Sequence, residues 1–212
     1  MELHHRNTSS TQFAVIQHCY CSKPVKCEIL SGSTDNFFTI KPLRSLPQNL
    51  TKGDPVVLGR LQNNAISSVI GGNIAGFCDD PSKIIILTDT VCEVAINKRK
   101  FDRFPVSLYG TLKCRDNGVR AEFQVKDISC SGLKIYACEE LEVGHILDMD
   151  LYANSNNRFV CSYVVRKASR YGKFEYGLNI IHDNKNCIEA MNNYIQLITN
   201  YQYTLLKGID HK

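Results

Sequence analysis

Short runs of alternating apolar and polar residues fill most of the chain, and this period predicts β-strands. In the first half we predict six strands, at residues 12–19, 25–30, 36–40, 54–61, 65–70 and 83–87. Turn residues separate them at Gly53-Asp54, Gly71-Gly72 and Asp79-Asp80-Pro81, and we expect a tight turn or bulge at the glycine pair. No helix of useful length is predicted there, so this half is expected to form a small antiparallel barrel or sandwich.

The second half continues the alternation and then changes period. A strand from Pro105 to Cys114, a turn at residues 115–118 and a second strand through Val125 form a predicted hairpin. Further strands are predicted at residues 133–137, 145–151, 158–166 and 174–181, with a hairpin loop at residues 152–157. Residues 186–206 have apolar positions at i, i+3, i+7 and i+10, which predicts a helix of about five turns. We expect it to cap the barrel, and partner contact is the alternative.

Together these patterns predict a mostly β protein: two small antiparallel β-barrels in tandem, the second followed by a C-terminal α-helix. We place the first domain at residues 1–95 and the second at residues 96–212. The apolar run at residues 91–96 fits equally well as a final strand of the first barrel.

Composition places the chain among ordinary globular proteins, because 43% of its residues are hydrophobic and 22% are charged. The formal net charge of +4 is mild and favours a partner of modest negative charge over a long nucleic acid, so DNA is not an expected partner. The N-terminus has no apolar stretch after a basic start, and no 18 consecutive residues are apolar. We therefore expect a cytoplasmic protein without membrane insertion.

The chain has ten cysteines, and most lie in apolar alternating runs, which favours buried free thiols in a reducing compartment. His18, Cys19, Cys21 and Cys27 lack zinc-site spacing, so no metal is predicted. No catalytic triad or paired carboxylates stand out, and the Asp148/Asp150 pair is interpreted as an exposed strand edge. An enzyme is not expected.

Two short signatures flank the predicted hairpin. Arg99 and Arg103 form an R-x-x-x-R, and Asp127, Ser129 and Gly132 form a D-x-S-x-x-G. Each alone is weak, because arginines four apart occur in any basic loop and the second pattern fits an Asx-type turn. Since the hairpin folds back at its turn, we expect the two signatures to be neighbours in space.

The pair of signatures resembles PilZ domains, the bacterial receptors for cyclic di-GMP. The resemblance covers about residues 96–206 and includes Phe104-Pro-Val-Ser-Leu108 and Tyr176-Gly-Leu-Asn-Ile180. It implies a PilZ-type second barrel that binds cyclic di-GMP and needs no cofactor. A short β domain before it resembles a flagellar-brake arrangement.

By this resemblance, the ligand-binding residues are Arg99, Arg103, Asp127, Ser129 and Gly132, with Lys98 and Lys100 as possible secondary contacts. Lys98 is the residue just before the first arginine, and in such domains this position influences whether one or two ligand molecules bind.

The chemistry of these residue types suits the ligand. Arginine pairs with a phosphate or with guanine O6 and N7, and it stacks on bases. An ionised Asp127 accepts from the guanine N1–H and N2 amine. Ser129 offers a small hydroxyl, and Gly132 permits either a close backbone approach or a positive φ.

The expected function is therefore that of a non-catalytic receptor whose inter-domain arrangement or partner binding changes with ligand and which controls motility, secretion or biofilm output. Its protein partner would belong to motility, secretion or envelope machinery, and the receptor would be a monomer or homodimer. One alternative is a single-stranded nucleic-acid-binding protein that uses Tyr109, Tyr136, Tyr163 and Tyr171 as stacking platforms. The other is a PilZ-fold interaction module that has lost nucleotide binding.

Overall fold

The computed structural model describes residues 12–21, 23–32, 37–46, 49–62, 65–78, 84–88, 101–153 and 156–208, with only the backbone for residues 84–88 and Asn156. Within these ranges the chain forms two closed six-stranded antiparallel barrels and one helix. The predicted fold class is confirmed.

The first barrel contains β1 (Gln12–Gln17), β2 (Val25–Gly32), β3 (Phe37–Pro42), β4 (Pro55–Gln62), β5 (Ala65–Phe77) and β6 (Ile84–Thr88). Its strand order is β1-β2-β3-β6-β5-β4, and pairing of β1 with β4 closes it. Alternate side chains point inward and form an apolar core. That core contains Ala14, Ile16, Val25, Cys27, Phe38, Ile40, Leu50, Val56, Leu58 and Ile74.

The second barrel contains β7 (Phe104–Cys114), β8 (Arg120–Ser129), β9 (Gly132–Ala137), β10 (Ile146–Ala153), β11 (Asn156–Arg170) and β12 (Lys173–Ile180). Its order is β10-β11-β12-β9-β8-β7, closed by β10 and β7. The predicted β7–β8 hairpin is confirmed, with Gly118 at φ +73° in its turn.

The expected turn or bulge at Gly71-Gly72 is wrong. Both glycines lie inside β5 and pair in regular register with Val57 and Val56 of β4. A Cβ on Gly71 would lie 2.9 Å from Cβ of Pro105 in the second barrel. At Gly71 the missing side chain therefore makes room for the other barrel.

Several strand limits and one edge assignment also differ from the predictions. β8 continues past Val125 to Ser129, so that Asp127 and Ser129 lie on the strand. The predicted loop at residues 152–157 is shorter, because β10 and β11 extend into it as far as residues 153 and 156. The Asp148/Asp150 strand is not an edge, since β10 pairs with β11 on one side and β7 on the other. The proposed domain boundary falls within residues 89–100, outside the described part of the chain.

Helix α1 (Lys185–Lys207) touches both barrels. Its Asn184 N-cap side chain accepts a hydrogen bond from the Cys187 N–H at 3.1 Å, which satisfies one of the unpaired donors at the helix start. Apolar residues of its first part pack into the second barrel's core: Met191, Tyr194, Ile195 and Ile198. Near its end, Leu206 packs instead with Val15 and Val57 of the first barrel. The helix therefore does more than cap one barrel.

A buried polar cluster joins the barrels around Asn73 of β5. The Asn73 Oδ1 atom accepts from Nζ of Lys126, and its Nδ2 donates to the Gly53 carbonyl at 2.9 Å. The Tyr136 hydroxyl lies 3.4 Å from the same Oδ1 and donates to Oε2 of Glu175 at 2.5 Å. Buried polar groups are tolerated when paired in this way.

A second polar contact between the barrels is centred on Asp54. Nζ of Lys173 donates to Asp54 Oδ1 at 2.6 Å, and Nε2 of His18 lies 3.5 Å from Asp54 Oδ2. Burial lowers the pKa of His18 to about 4. The negative charge of Asp54 opposes this shift, and the positive charge of Lys173 adds to it. Burial by itself raises the pKa of Asp54, but hydrogen bonds from Lys173 and Thr51 outweigh it and the pKa is lowered.

The nine cysteines within the described ranges are free thiols, as predicted, and Cys92 lies outside those ranges. Only Cys27, Cys114 and Cys130 are buried, so the expectation that most are buried is wrong. Burial raises the pKa of Cys19 and of Cys27 to about 12. In the described part of the chain, no group of three His, Cys, Asp or Glu side chains is placed to hold a metal ion.

Candidate ligand-binding site

Arg103 and Asp127 form an ion pair at one end of the second barrel. Arg103 directly precedes β7, and Pro105 of β7 pairs with Asp127 of β8. Nη1 of Arg103 donates to Oδ1 of Asp127 at 2.6 Å, and both side chains are partly exposed. The hairpin therefore brings the second arginine to the D-x-S-x-x-G signature, as predicted. Lys98, Arg99 and Lys100 lie outside the described residues.

Ser129 shapes the turn between β8 and β9. It pairs with Gly132 across the turn, and its Oγ donates to the Gly132 carbonyl at 3.2 Å. The side chain is buried. The hydroxyl is therefore used within the turn, whereas Asp127 lies on β8 and binds Arg103 instead of forming the alternative Asx-type turn.

Gly132 allows a close approach, but to a neighbouring strand. A Cβ there would lie 2.4 Å from the Leu178 carbonyl oxygen of β12. The φ of Gly132 is not in the positive region, so of the two expected reasons for a glycine only the close approach applies. The residue is needed so that β9 can pack against β12.

The residues between Ser129 and Gly132 attach the turn to the rest of the second barrel. The Cys130 thiol donates to Oδ1 of Asn192 on α1 at 2.6 Å, and the Cys130 carbonyl lies 2.6 Å from Nε2 of His182. The Ser131 carbonyl accepts from the Ile180 N–H at 2.9 Å. Sequence reasoning missed Asn192 and His182, because these contacts join positions more than 45 residues apart in the chain.

Lys134 is a further cation at the site that sequence reasoning missed. It pairs with Asp127 across β8 and β9, and its Nζ lies 3.7 Å from Asp127 Oδ2. The available signal was its position two residues after Gly132, which places both on the same side of β9. Asp127 therefore lies between two cationic groups.

This arrangement can bind an anion that carries hydrogen-bond donors. A guanidinium has five N–H donors, and the bond to Asp127 uses one of those of Arg103. An ionised carboxylate can accept about four hydrogen bonds, so Asp127 has capacity beyond Arg103. The site offers donors for phosphate and an acceptor for a base edge within one small area.

The tyrosines required by the nucleic-acid alternative are not all accessible. Tyr136 is buried between the barrels, so it cannot stack on a base and that expectation is wrong. Tyr109 is exposed, but its ring packs beside Tyr152 and Tyr20 at centroid distances of 5.2 and 6.3 Å. The Tyr163 hydroxyl accepts from Asn179 Nδ2 at 2.9 Å.

The sequence of the second barrel, in which Arg103 and Asp127 pair at the open end of the β7–β8 hairpin, matches a known family. The sequence profile of the PilZ domain family matches residues 97–196. The chain therefore contains a PilZ domain. No curated protein sequence matches the chain.

Several solved structures align with most of the chain at low sequence identity. One is the complex of MrkH from K. pneumonia with c-di-GMP, at 12% identity, 91% coverage of this chain, 90% of that chain and a TM-score of 0.44. Another is YcgR from Escherichia coli in complex with c-di-GMP, at 8% identity, 93% and 88% coverage and a TM-score of 0.45. The Bacillus subtilis inhibitor of motility, MotI/DgrA, is 14% identical with 91% and 97% coverage and a TM-score of 0.41. No helix among the residues described here is long and apolar enough to span a bilayer.

Proposed function

We propose that this chain is a non-catalytic cytoplasmic receptor for cyclic di-GMP. The ligand binds at Arg99, Arg103, Asp127, Ser129 and Gly132 of the PilZ domain, with Lys98 and Lys100 as secondary contacts. The observation that carries the proposal is the 2.6 Å pairing of Arg103 with Asp127, which joins the two signatures at one end of the barrel.

Binding exchanges ionic partners at this pair. A phosphate of the ligand competes with Asp127 for the guanidinium of Arg103, and charge-assisted bonds of this kind are the strong ones. The released Asp127 carboxylate then accepts from the N1–H and N2 amine of a guanine. Ser129 and Gly132 contribute by holding the turn that positions Asp127.

Ligand binding changes the arrangement of the two barrels. Two contacts support this step: Lys126, next to Asp127, donates to Asn73 of the first barrel, and Cys130 of the turn donates to Asn192 of α1. The far end of α1 packs on the first barrel through Leu206. The ligand shifts this arrangement only by its difference in affinity for the two states.

The changed surface binds a protein of the motility, secretion or envelope machinery, and the receptor acts as a monomer or homodimer. A PilZ-fold interaction module without nucleotide binding is the alternative that a titration would identify. In that case the partner would bind equally well with and without the dinucleotide.

Calorimetric titration of variants with cyclic di-GMP tests the site. The charged contact of Arg103 is worth about 1–3 kcal/mol, so Arg103→Ala should weaken binding about 5-fold to 150-fold. Arg115→Ala is the matched control, because Arg115 forms an equally short 2.6 Å pair with Asp148 at the opposite end of β7. Unchanged affinity in Arg103→Ala, or an equal loss in both variants, would contradict the proposal.

A further inference from the structure

Strand register places a row of residues across the outer face of the second barrel, starting at the candidate site. Asp127 of β8 pairs with Lys134 of β9, Lys134 pairs with Gly177 of β12, and Gly177 pairs with Arg166 of β11. Partners in register point to the same face of a sheet. Arg166 therefore lies in line with Asp127, the partner of Arg103, although it is far from both in sequence.

The glycine in this row leaves room that the Arg166 side chain fills. A Cβ on Gly177 would lie 2.7 Å from Cγ and 2.6 Å from Nε of Arg166. Neighbouring strands are about 4.8 Å apart, so the Lys134 and Arg166 backbones are separated by about 10 Å. The Nε atom of Arg166 therefore lies over β12, the strand that separates Arg166 from Lys134.

The charges of this row leave it cationic. Nη2 of Arg166 is 3.7 Å from Oε1 of Glu175, and Nζ of Lys134 is 3.7 Å from Oδ2 of Asp127. Both distances exceed those of a hydrogen bond, so Glu175 does not hold Arg166 tightly. Three cations, counting Arg103, face two carboxylates along one stripe. An incoming phosphate can recruit Arg166 without breaking a direct hydrogen bond between Arg166 and Glu175.

We propose that Lys134 and Arg166 are further binding residues of the dinucleotide site and contact a phosphate of the ligand. This inference rests on the proposed function, since it extends the same site. Arg166 suits the role because its side chain is 59% exposed, and a planar guanidinium binds phosphate bidentately. Lys134 adds a point charge beside Asp127.

The chain contains a matched control for Arg166. Arg170 is also on β11, is also 59% exposed and also faces Glu175, with Nε 3.9 Å from Oε2. Its register partner, however, is Lys173, away from Gly177 and the site. Arg166→Gln and Arg170→Gln therefore each remove one positive charge near Glu175. Only Arg166→Gln also removes a residue of the row that starts at Asp127.

The experiment is a calorimetric titration of both variants with cyclic di-GMP, with thermal melts to verify folding. We expect Arg166→Gln and Lys134→Gln each to weaken binding about 10-fold, and Arg170→Gln to stay within about 2-fold of the unmodified chain. Gly177→Ala gives a charge-neutral test, because its Cβ displaces Arg166 and should also weaken binding.

The outcomes separate this inference from the proposed function. If Arg103→Ala weakens binding while Arg166→Gln matches Arg170→Gln, the row is not part of the site and only this inference is overturned. If the unmodified chain does not bind cyclic di-GMP, both are overturned.

Discussion

Lys126 and Asp127 are consecutive residues of β8, yet both side chains lie on the outside of the barrel and contact different partners. Lys126 donates to Asn73 of the first barrel, and Asp127 accepts from Arg103. In a regular strand consecutive side chains point to opposite faces. The register shift between Val125 and Asp127 places both outside. The candidate site and the inter-barrel contact are therefore joined by one peptide bond.

Replacing Lys126 should weaken the contact between the barrels. Lys126→Met removes the charged donor from Asn73 and leaves its buried Oδ1 poorly paired, which costs about 1–3 kcal/mol of unfolding free energy. Urea denaturation measures this loss. Lys113→Met is the control, because Lys113 is an exposed residue on β7 and should change stability by less than about 0.5 kcal/mol. Equal stability of the two variants would contradict the role of Lys126.

Gly132 should not tolerate a side chain, because the added Cβ would lie 2.4 Å from the Leu178 carbonyl oxygen. Gly132→Ala forces β9 and β12 apart and should lower the unfolding free energy by about 1–3 kcal/mol. Gly76→Ala is the matched control within β5, since nothing lies within 4 Å of its added Cβ. Thermal or urea unfolding of the two variants compares them. A Gly132→Ala protein as stable as the control would show that the close approach is not needed.

The end of α1 should stabilise the two-barrel arrangement through Leu206. This side chain is 1% exposed and packs with Val15 and Val57, so Leu206→Ala should cost about 2–5 kcal/mol. On the same helix Leu197 is 44% exposed, and Leu197→Ala should cost less than about 1 kcal/mol. Urea denaturation distinguishes them. Similar losses in both variants would contradict the packing of α1 on the first barrel.

Stability should fall with acidification before the carboxylates titrate. Because the pKa of His18 is lowered from 6.5 to about 4, His18 is protonated in the unfolded chain at a higher pH than in the folded protein. His18 therefore contributes stability that is present above pH 6.5 and lost as the pH falls toward 4. The loss is about 2–3 kcal/mol by pH 4.5. Asp54, whose pKa is lowered, loses its contribution only below its ordinary value of 3.8.

Urea denaturation at pH 7 and pH 4.5 checks this pH dependence. In the unmodified chain the two unfolding free energies should differ, and in His18→Asn the difference should shrink. Asp54, Lys173 and Cys19 remain around the substituted residue, so any acid sensitivity they cause persists in both proteins. An unchanged pH dependence in His18→Asn would assign the effect to other groups.

Local patterns in the sequence were sufficient to predict the strands, the hairpin at Gly118 and the meeting of Arg103 with Asp127. The alternation of apolar residues and the residue types of a turn are local features, and together they determine the register of a hairpin. Glycines were harder to interpret, because a missing Cβ serves turns and close packing alike. Gly71 was assigned to a turn or bulge, although it makes room for Pro105 of the other barrel.

Long-range contacts were not predictable from local patterns. Lys134 and Arg166 join the row at Asp127 only through the pairing of β8, β9, β12 and β11, and alternation alone does not specify which strands are neighbours. Tyr136 was interpreted as a surface platform, because nothing local indicates that the first barrel covers it. The residues that point into each barrel were predictable from the alternation, and the residues at the contact between the two barrels were not.

The most direct test of the central claim is a calorimetric titration of the full chain with cyclic di-GMP and, in parallel, with cyclic di-AMP. The two ligands share their phosphates and differ in the base edge from which we propose that Asp127 accepts hydrogen bonds. We predict saturable binding of cyclic di-GMP with one or two ligands per chain, and binding of cyclic di-AMP at least about 10-fold weaker. Equal affinity for both ligands, or no binding of cyclic di-GMP, would contradict the assignment of this site.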